Sequence, residues 1–167
     1  LILGAIDVTG SDVTPLFSSK VGQVFGVAVD PQDESRPRLV AVTHGYFLHE
    51  LRAQPVCRRF FQNSLAWLGG ERDPVLLISP DELMWGSKPW ATQNGYQIAS
   101  RPPTGGGGVL ILAENHSYDT EEKRKLIQEL LPKVDGVFVS TTSWANIEYS
   151  RFPQHPANEI LEPFGFK

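Results

Sequence analysis

The sequence predicts an α/β protein, a three-layer α/β/α sandwich around a largely parallel sheet with an antiparallel hairpin at one edge. Three observations carry this. Val75–Ile78, Val109–Ala113 and Val137–Val139 are short unbroken apolar runs, as expected of strands buried on both faces. The second and third of these runs flank a helical pattern, giving strand, helix and strand in about thirty residues, a parallel unit with a right-handed crossover expected. Gln23–Val29 and Arg38–Thr43 are strand-like runs separated by the charged, proline-bearing DPQDESRP, the signature of a hairpin.

In chain order, residues 1–20 are weakly patterned and 12–19 reads as a loop. The hairpin follows, and Phe47–Leu51 is ambiguous. Gln54-Pro55 opens a helix, with proline where its missing N–H costs nothing. Val56, Cys57, Phe60, Phe61, Leu65, Trp67 and Leu68 give that helix a wide apolar face, and Gly69-Gly70 ends it. Cys57 lies on this face and is expected to be buried and inert. After the run at 75–78, Ser79-Pro80-Asp81-Glu82 is a helix start. A short helix is expected within 85–96, a strand at 97–99, and a flexible connector over Arg101–Gly108. Asp119, three residues before Glu122, resembles a capping box. Leu126, Ile127, Leu130, Leu131 and Val134 form the helical stripe behind it. Asp135-Gly136 stops that helix. Beyond Val139 come a polar turn, a short helix from Trp144, a proline-rich loop and a last helical turn at 157–161.

Composition bounds the function. At 167 residues, 41% hydrophobic and 20% charged, the chain fits one globular domain spanning 1–167. A formal net charge of −4 gives no electrostatic reason to expect nucleic acid. The one cysteine excludes an intrachain disulfide and suits a reducing, cytoplasmic compartment, although a secreted bacterial domain also can lack disulfides. No apolar run reaches the length of a membrane span, and LILGAIDVTG has no basic signal region. With no initiator Met, a fragment of a longer protein is expected.

Parallel sheets bind ligands at the carboxyl ends of their strands. Three such ends carry polar groups: Thr43-His44, Glu114-Asn115-His116 and Ser140-Thr141-Thr142-Ser143. Hydroxyls on a turn with histidines at neighbouring strand ends outline a nucleophile elbow, and Ser140, Thr142 and Ser143 with His116 or His44 are the candidate residues. Gly-x-Ser-x-Gly needs small neighbours around a sharp turn, whereas STTSW has no glycine and two adjacent threonines. The competing role for these hydroxyls is to cap the helix at Trp144. His49-Glu50-Leu51-Arg52-Ala53 is half of His-Glu-x-x-His. Ala53 stands where the second ligand belongs, so no zinc peptidase site is expected. His44 and His49 are not at a metal-ligand spacing. Gly105–Gly108 precede a strand, whereas phosphate loops follow one. His155 and Glu159 lack a nucleophile, and the charged run 121–125 reads as a solvated helix face. Trp85, Trp90, Tyr96 and Trp144 could stack on sugar rings, which would suit a carbohydrate-binding accessory module.

Four stretches carry a resemblance: GQVFGVAV at 22–29, RLVAVTHGYF at 38–47, FQNSLAWLG at 61–69 and FPQHPANEILEPFG at 152–165. Together and in this order they resemble the amino-terminal domain of the TRP channel-associated factor family. The resemblance implies a class I glutamine amidotransferase-like fold. In related proteins this domain precedes a mucin-directed metallopeptidase-like domain, and in vertebrates the whole protein binds and regulates a cation channel. The implied partners are other domains of the same polypeptide and a membrane channel or other protein, with no nucleic acid, metal or cofactor. The family's turn is glycine-glycine-glutamine where this chain has Ser140-Thr141-Thr142. Amidotransferases place a cysteine at about Thr142, and threonine needs a dedicated base to act as nucleophile. Residues and resemblance therefore lead to one expectation, a scaffold or recognition domain whose catalytic centre is lost. A small Ser/Thr hydrolase is the alternative.

Overall fold

The computed structural model describes residue 6 and residues 12–33, 35–70, 74–78, 87–113, 117–141 and 156–166. Among these residues seven strands form one sheet in the order β1-β2-β3-β7-β6-β4-β5. They are β1 Val13–Ser18, β2 Val24–Val29, β3 Arg38–Val42, β4 Leu76–Ile78, β5 Ile98–Ala99, β6 Val109–Leu112 and β7 Gly136–Ser140. β1, β2 and β3 are antiparallel; β3, β7, β6, β4 and β5 are parallel. The helices are α1 Tyr46–His49, α2 Pro55–Leu68, α3 Ser87–Gln93, α4 Glu121–Leu130 and α5 Ala157–Leu161.

Alternation along the strands splits the apolar side chains between two cores. Val40, Val42, Val109, Ile111 and Phe138 meet Leu48 of α1, Phe61, Leu65 and Leu68 of α2, and Trp90 of α3. Leu39, Ala41, Leu110, Leu112, Val137 and Val139 meet Ile127 of α4 and Ile160 and Leu161 of α5. The sandwich therefore has three layers, with the edge hairpin in place. The unit read from 109 to 139 is a parallel adjacent pair in which Val109 faces Gly136 and Leu112 faces Val139.

Several details differ from the sequence reading. The expected loop at 12–19 contains β1, whose outward residues are polar or exposed and which carries Pro15 and a register irregularity. An exposed, proline-bearing edge strand lacks the apolar run that marks an inner one. The cap of α4 is Thr120, whose hydroxyl accepts from the Lys123 N–H, while Asp119 pairs with the Lys123 ammonium at 3.0 Å. Leu126 and Val56 leave their expected apolar faces and are 55% and 73% exposed. A stripe on a short helix is wider than the contact its neighbours provide. The stretch 101–108 is tied down where a flexible connector was expected. The Gly107 N–H donates to the Lys133 carbonyl and the Gly108 N–H to Asp135 Oδ2, each at 2.8 Å. Gly108 has a φ of 94°, and a side chain there would meet the Val75 carbonyl at 2.7 Å. The helix start at 79–82 and the segment at Trp144 lie outside the described residues.

The end of α2 is pressed onto the start of β7. A Cβ added at Gly136 would lie 2.6 Å from Leu68 Cβ and 2.8 Å from the Leu68 carbonyl oxygen. Arg38 binds the same helix end, donating from Nη1 to the Trp67 carbonyl at 2.8 Å and lying 5.3 Å from the Trp67 ring centroid. α2 has no basic residue in its last turn, so the cation opposing its dipole comes from β3. We expect Gly136→Ala to lower stability by about 1–3 kcal/mol, the usual cost of overpacking. Leu126→Gln should stay within about 0.5 kcal/mol, as at other exposed positions. Urea unfolding midpoints compare the two, and equal midpoints would contradict the close contact.

Candidate functional site at the carboxyl edge of the sheet

Because β3, β7 and β6 are parallel, their carboxyl ends meet at one edge. Val42 faces Ser140, and the Thr141 N–H donates to the Val42 carbonyl at 2.9 Å. His44, half-buried, follows β3 at this edge, and Ala113 follows β6 on the far side of β7. The edge thus brings His44, Thr43, Ser140 and Thr141 together. His116, Thr142 and Ser143 lie outside the described residues, as does His155.

Ser140 is the last residue of β7 and does not stand on a turn. It is 0% exposed, and alternation puts it on the face of Phe138, toward α1, α2 and α3. Its Oγ and the Thr43 Oγ1 are buried with no hydrogen-bond partner among the described residues. Nothing among the described residues orients a base toward Ser140 Oγ. Its carbonyl accepts from Tyr118 Oη at 3.3 Å, and Tyr118 is itself fully buried. Arg124 of α4 donates to the Tyr118 carbonyl at 3.0 Å and pairs with Glu159 of α5 at 2.7 Å. Tyr118 and Arg124 therefore connect the helices of one face to the end of β7. Neither was legible as part of this edge, because their partners are 22 and 35 residues away.

The sheet changes winding direction between β4 and β6. β4 leads into α3, whose Trp90 and Ala91 pack on one face; β6 leads into α4, whose Ile127 packs on the other. A crevice is expected where the connections diverge. Its described walls, Ile78 and Ala113, are apolar and buried. The amino edge instead carries a groove of about 760 Å³ lined by Arg36, Arg38, Gly106, Lys133 and Asp135. Its polar groups are largely engaged: Arg38 with Asp30 at 3.1 Å, Arg36 with the Pro163 carbonyl, and Asp135 with the Gly108 N–H. The carboxyl edge remains the better candidate on topology.

Among the described residues no group of three His, Cys, Asp or Glu side chains could hold a metal ion. Trp90 is 2% exposed, packs edge-on against Phe61 and lies against Tyr96. It forms part of the core and is no sugar platform, since its ring faces other side chains. Trp85 and Trp144 lie outside the described residues. Cys57 is half-buried, less than expected, because it lies at the margin of the packed face of α2. Burial, and secondly the nearby Glu50 carboxylate, push its thiol above the ordinary value.

No protein-family model matches the chain, and no curated protein matches it. Two solved structures share its fold. One is the IMPa metallopeptidase from Pseudomonas aeruginosa, at a TM-score of 0.59 and 12% identity over 93% of this chain and 18% of that one. The other is IMPa from the same organism in complex with an O-glycopeptide, at 0.54 and 11% over 84% of this chain and 17% of that one. The chain therefore spans less than a fifth of the length of the metallopeptidase whose fold it shares in part. At such identity the likeness concerns the fold alone.

Two outcomes follow from this geometry. Thr43→Val and Ser140→Ala remove hydroxyls that have no partner among the described residues, so each should leave stability unchanged or raise it by about 1 kcal/mol, the cost of burying an unsatisfied polar group. A loss of 2 kcal/mol or more in urea unfolding would show a missing partner. For Cys57, the raised thiol pKa predicts less thiolate at neutral pH and slower alkylation than in the urea-unfolded chain. Glu50→Gln should speed the reaction of the folded protein. Equal folded and unfolded rates would contradict it.

Proposed function

We propose that the chain is a non-catalytic scaffold or recognition domain of a larger protein, of the channel-associated factor and metallopeptidase-like kind, with an amidotransferase-like fold. The observation that carries this reading is the position of Ser140. A nucleophile must stand exposed on its turn, with a base beside it, a third group orienting that base and an oxyanion hole. Ser140 lies inside a fully buried strand, and its hydroxyl has no partner among the described residues. Thr142 stands near the position where amidotransferases have cysteine, and a threonine hydroxyl is a far weaker nucleophile without a dedicated base.

The fold neighbour supports a place within a longer polypeptide, because a portion of a metallopeptidase less than one fifth of its length has this fold. The partners of such a domain are other domains of its own polypeptide and a membrane channel or another protein. A formal charge of −4 argues against nucleic acid. No described helix is long and apolar enough to cross a membrane. A cytoplasmic setting, or secretion in a bacterium, fits a chain with one unpaired cysteine.

The hydrolase reading keeps one observation in its favour, the placing of His44 at the same edge as Ser140 and Thr141. Ester and glutamine hydrolysis by the wild type, beside Thr142→Ala and Ser140→Ala, separates the two. We expect no turnover above background in any of the three proteins. Turnover that a substitution and a serine-directed covalent inhibitor both abolish would establish the hydrolase instead.

A further inference from the structure

The exposed flank of α2 combines apolar surface with unpaired positive charge. Val56, Arg59, Phe60 and Asn63 stand at i, i+3, i+4 and i+7, on one stripe of the helix. Val56 projects into solvent. Phe60 belongs to a cluster of half-buried rings, with centroids 4.8 Å from Phe17 of β1 and 5.7 Å from Phe47 of α1. Arg52, in the turn before α2, and Arg58 and Arg59 within it make no ion pair or side-chain hydrogen bond among the described residues. Residues 44–63 hold these three arginines against one acid, Glu50, in a chain whose net charge is −4. α2 also opens with no acidic residue in its first turn and no side-chain cap, so the positive end of its dipole adds to the same field.

A second exposed apolar site shows the contrast. Leu126 of α4 lies among Glu121, Glu122, Lys125 and Glu129, and Lys125 is already paired with Glu121 at 2.7 Å. That face satisfies its one cation internally. The α2 flank does not.

We propose that this corner of α1, α2 and β1 is a docking surface for an acidic segment of a partner protein, anchored by one aliphatic or aromatic side chain. The anchor would rest on Val56 and the rings of Phe60 and Phe47. Carboxylates on either side of it would meet Arg52 and Arg59, whose planar forks bind carboxylate through two parallel hydrogen bonds. An apolar centre with a charged rim is the ordinary anatomy of such a surface. The proposal rests on the recognition reading above and gives it a location and a partner chemistry.

The probe is a short fluorescein-labelled peptide of glutamates interspersed with leucine and phenylalanine, followed by anisotropy. We expect binding that weakens with added salt, that is lost when lysine replaces glutamate in the peptide, and that falls about tenfold or more in Arg59→Glu and in Val56→Asp. Both positions are exposed, and circular dichroism melts confirm that the variants fold. Leu126→Asp should bind as the wild type does. Absence of binding, equal binding of the lysine peptide, or binding unchanged in both α2 variants would overturn the surface. So would preferential binding of phosphatidylglycerol vesicles through this flank, or self-association that Val56→Asp abolishes. Turnover in the hydrolysis assay would overturn the recognition reading itself, so the two failures are distinguishable.

Discussion

The insertion of β7 between β3 and β6 is the constraint on which the rest of the structure depends. β7 is the last strand in sequence among the described residues and sits inside the sheet, pairing in parallel with both neighbours. Without it the antiparallel hairpin side and the β6-β4-β5 side share no strand contact. All five of its residues are buried. Phe138 meets Phe61 nearly at right angles, with centroids 5.0 Å apart, while Val137 and Val139 fill the opposite core. A strand of this kind can be placed only after the chain through residue 140 is available, so the sheet is completed by non-local contacts.

The same strand fixes both edges of the molecule. At its amino end the missing side chain of Gly136 admits the end of α2, and Arg38 on the adjacent strand holds that helix end through the Trp67 carbonyl. Gly108 and Asp135 lock the neighbouring connections by mutual hydrogen bonds, Asp135 N–H to the Gly108 carbonyl and Gly108 N–H to the Asp135 carboxylate. At its carboxyl end Ser140 is drawn into the strand, and Tyr118 binds its carbonyl. The packing that makes β7 a good central strand removes Ser140 from the position a nucleophile would need. Stability and a catalytic turn compete here for one residue.

A sheet packed with helices on both faces offers large, rigid surfaces. Rigid elements suit recognition, because little conformational entropy is lost when they bind. Among the described residues, α2 and α4 each expose one large apolar side chain, Val56 and Leu126. Their charged surroundings differ in sign and in whether they are already paired, and that distinguishes an available surface from a solvated one.

The sequence by itself determined the inner strands, α2, the strand–helix–strand unit at 109–139 and the edge hairpin. Each of these buries an apolar run or stripe whose period is written locally. It also placed His44 and Ser140 at one edge, since parallel strands deliver their carboxyl ends to the same side. It could not give β1, because an exposed edge strand interrupted by a proline lacks an unbroken apolar run. Nor could it give the hold on Gly105–Gly108, because a glycine run reads as flexible until Lys133 and Asp135 accept its N–H groups. Only the tertiary structure decided that Val56 and Leu126 face solvent, that Trp90 is core, and that Ser140 is sealed. Those outcomes depend on which neighbours arrive from distant parts of the chain, and spacing along one element does not record them.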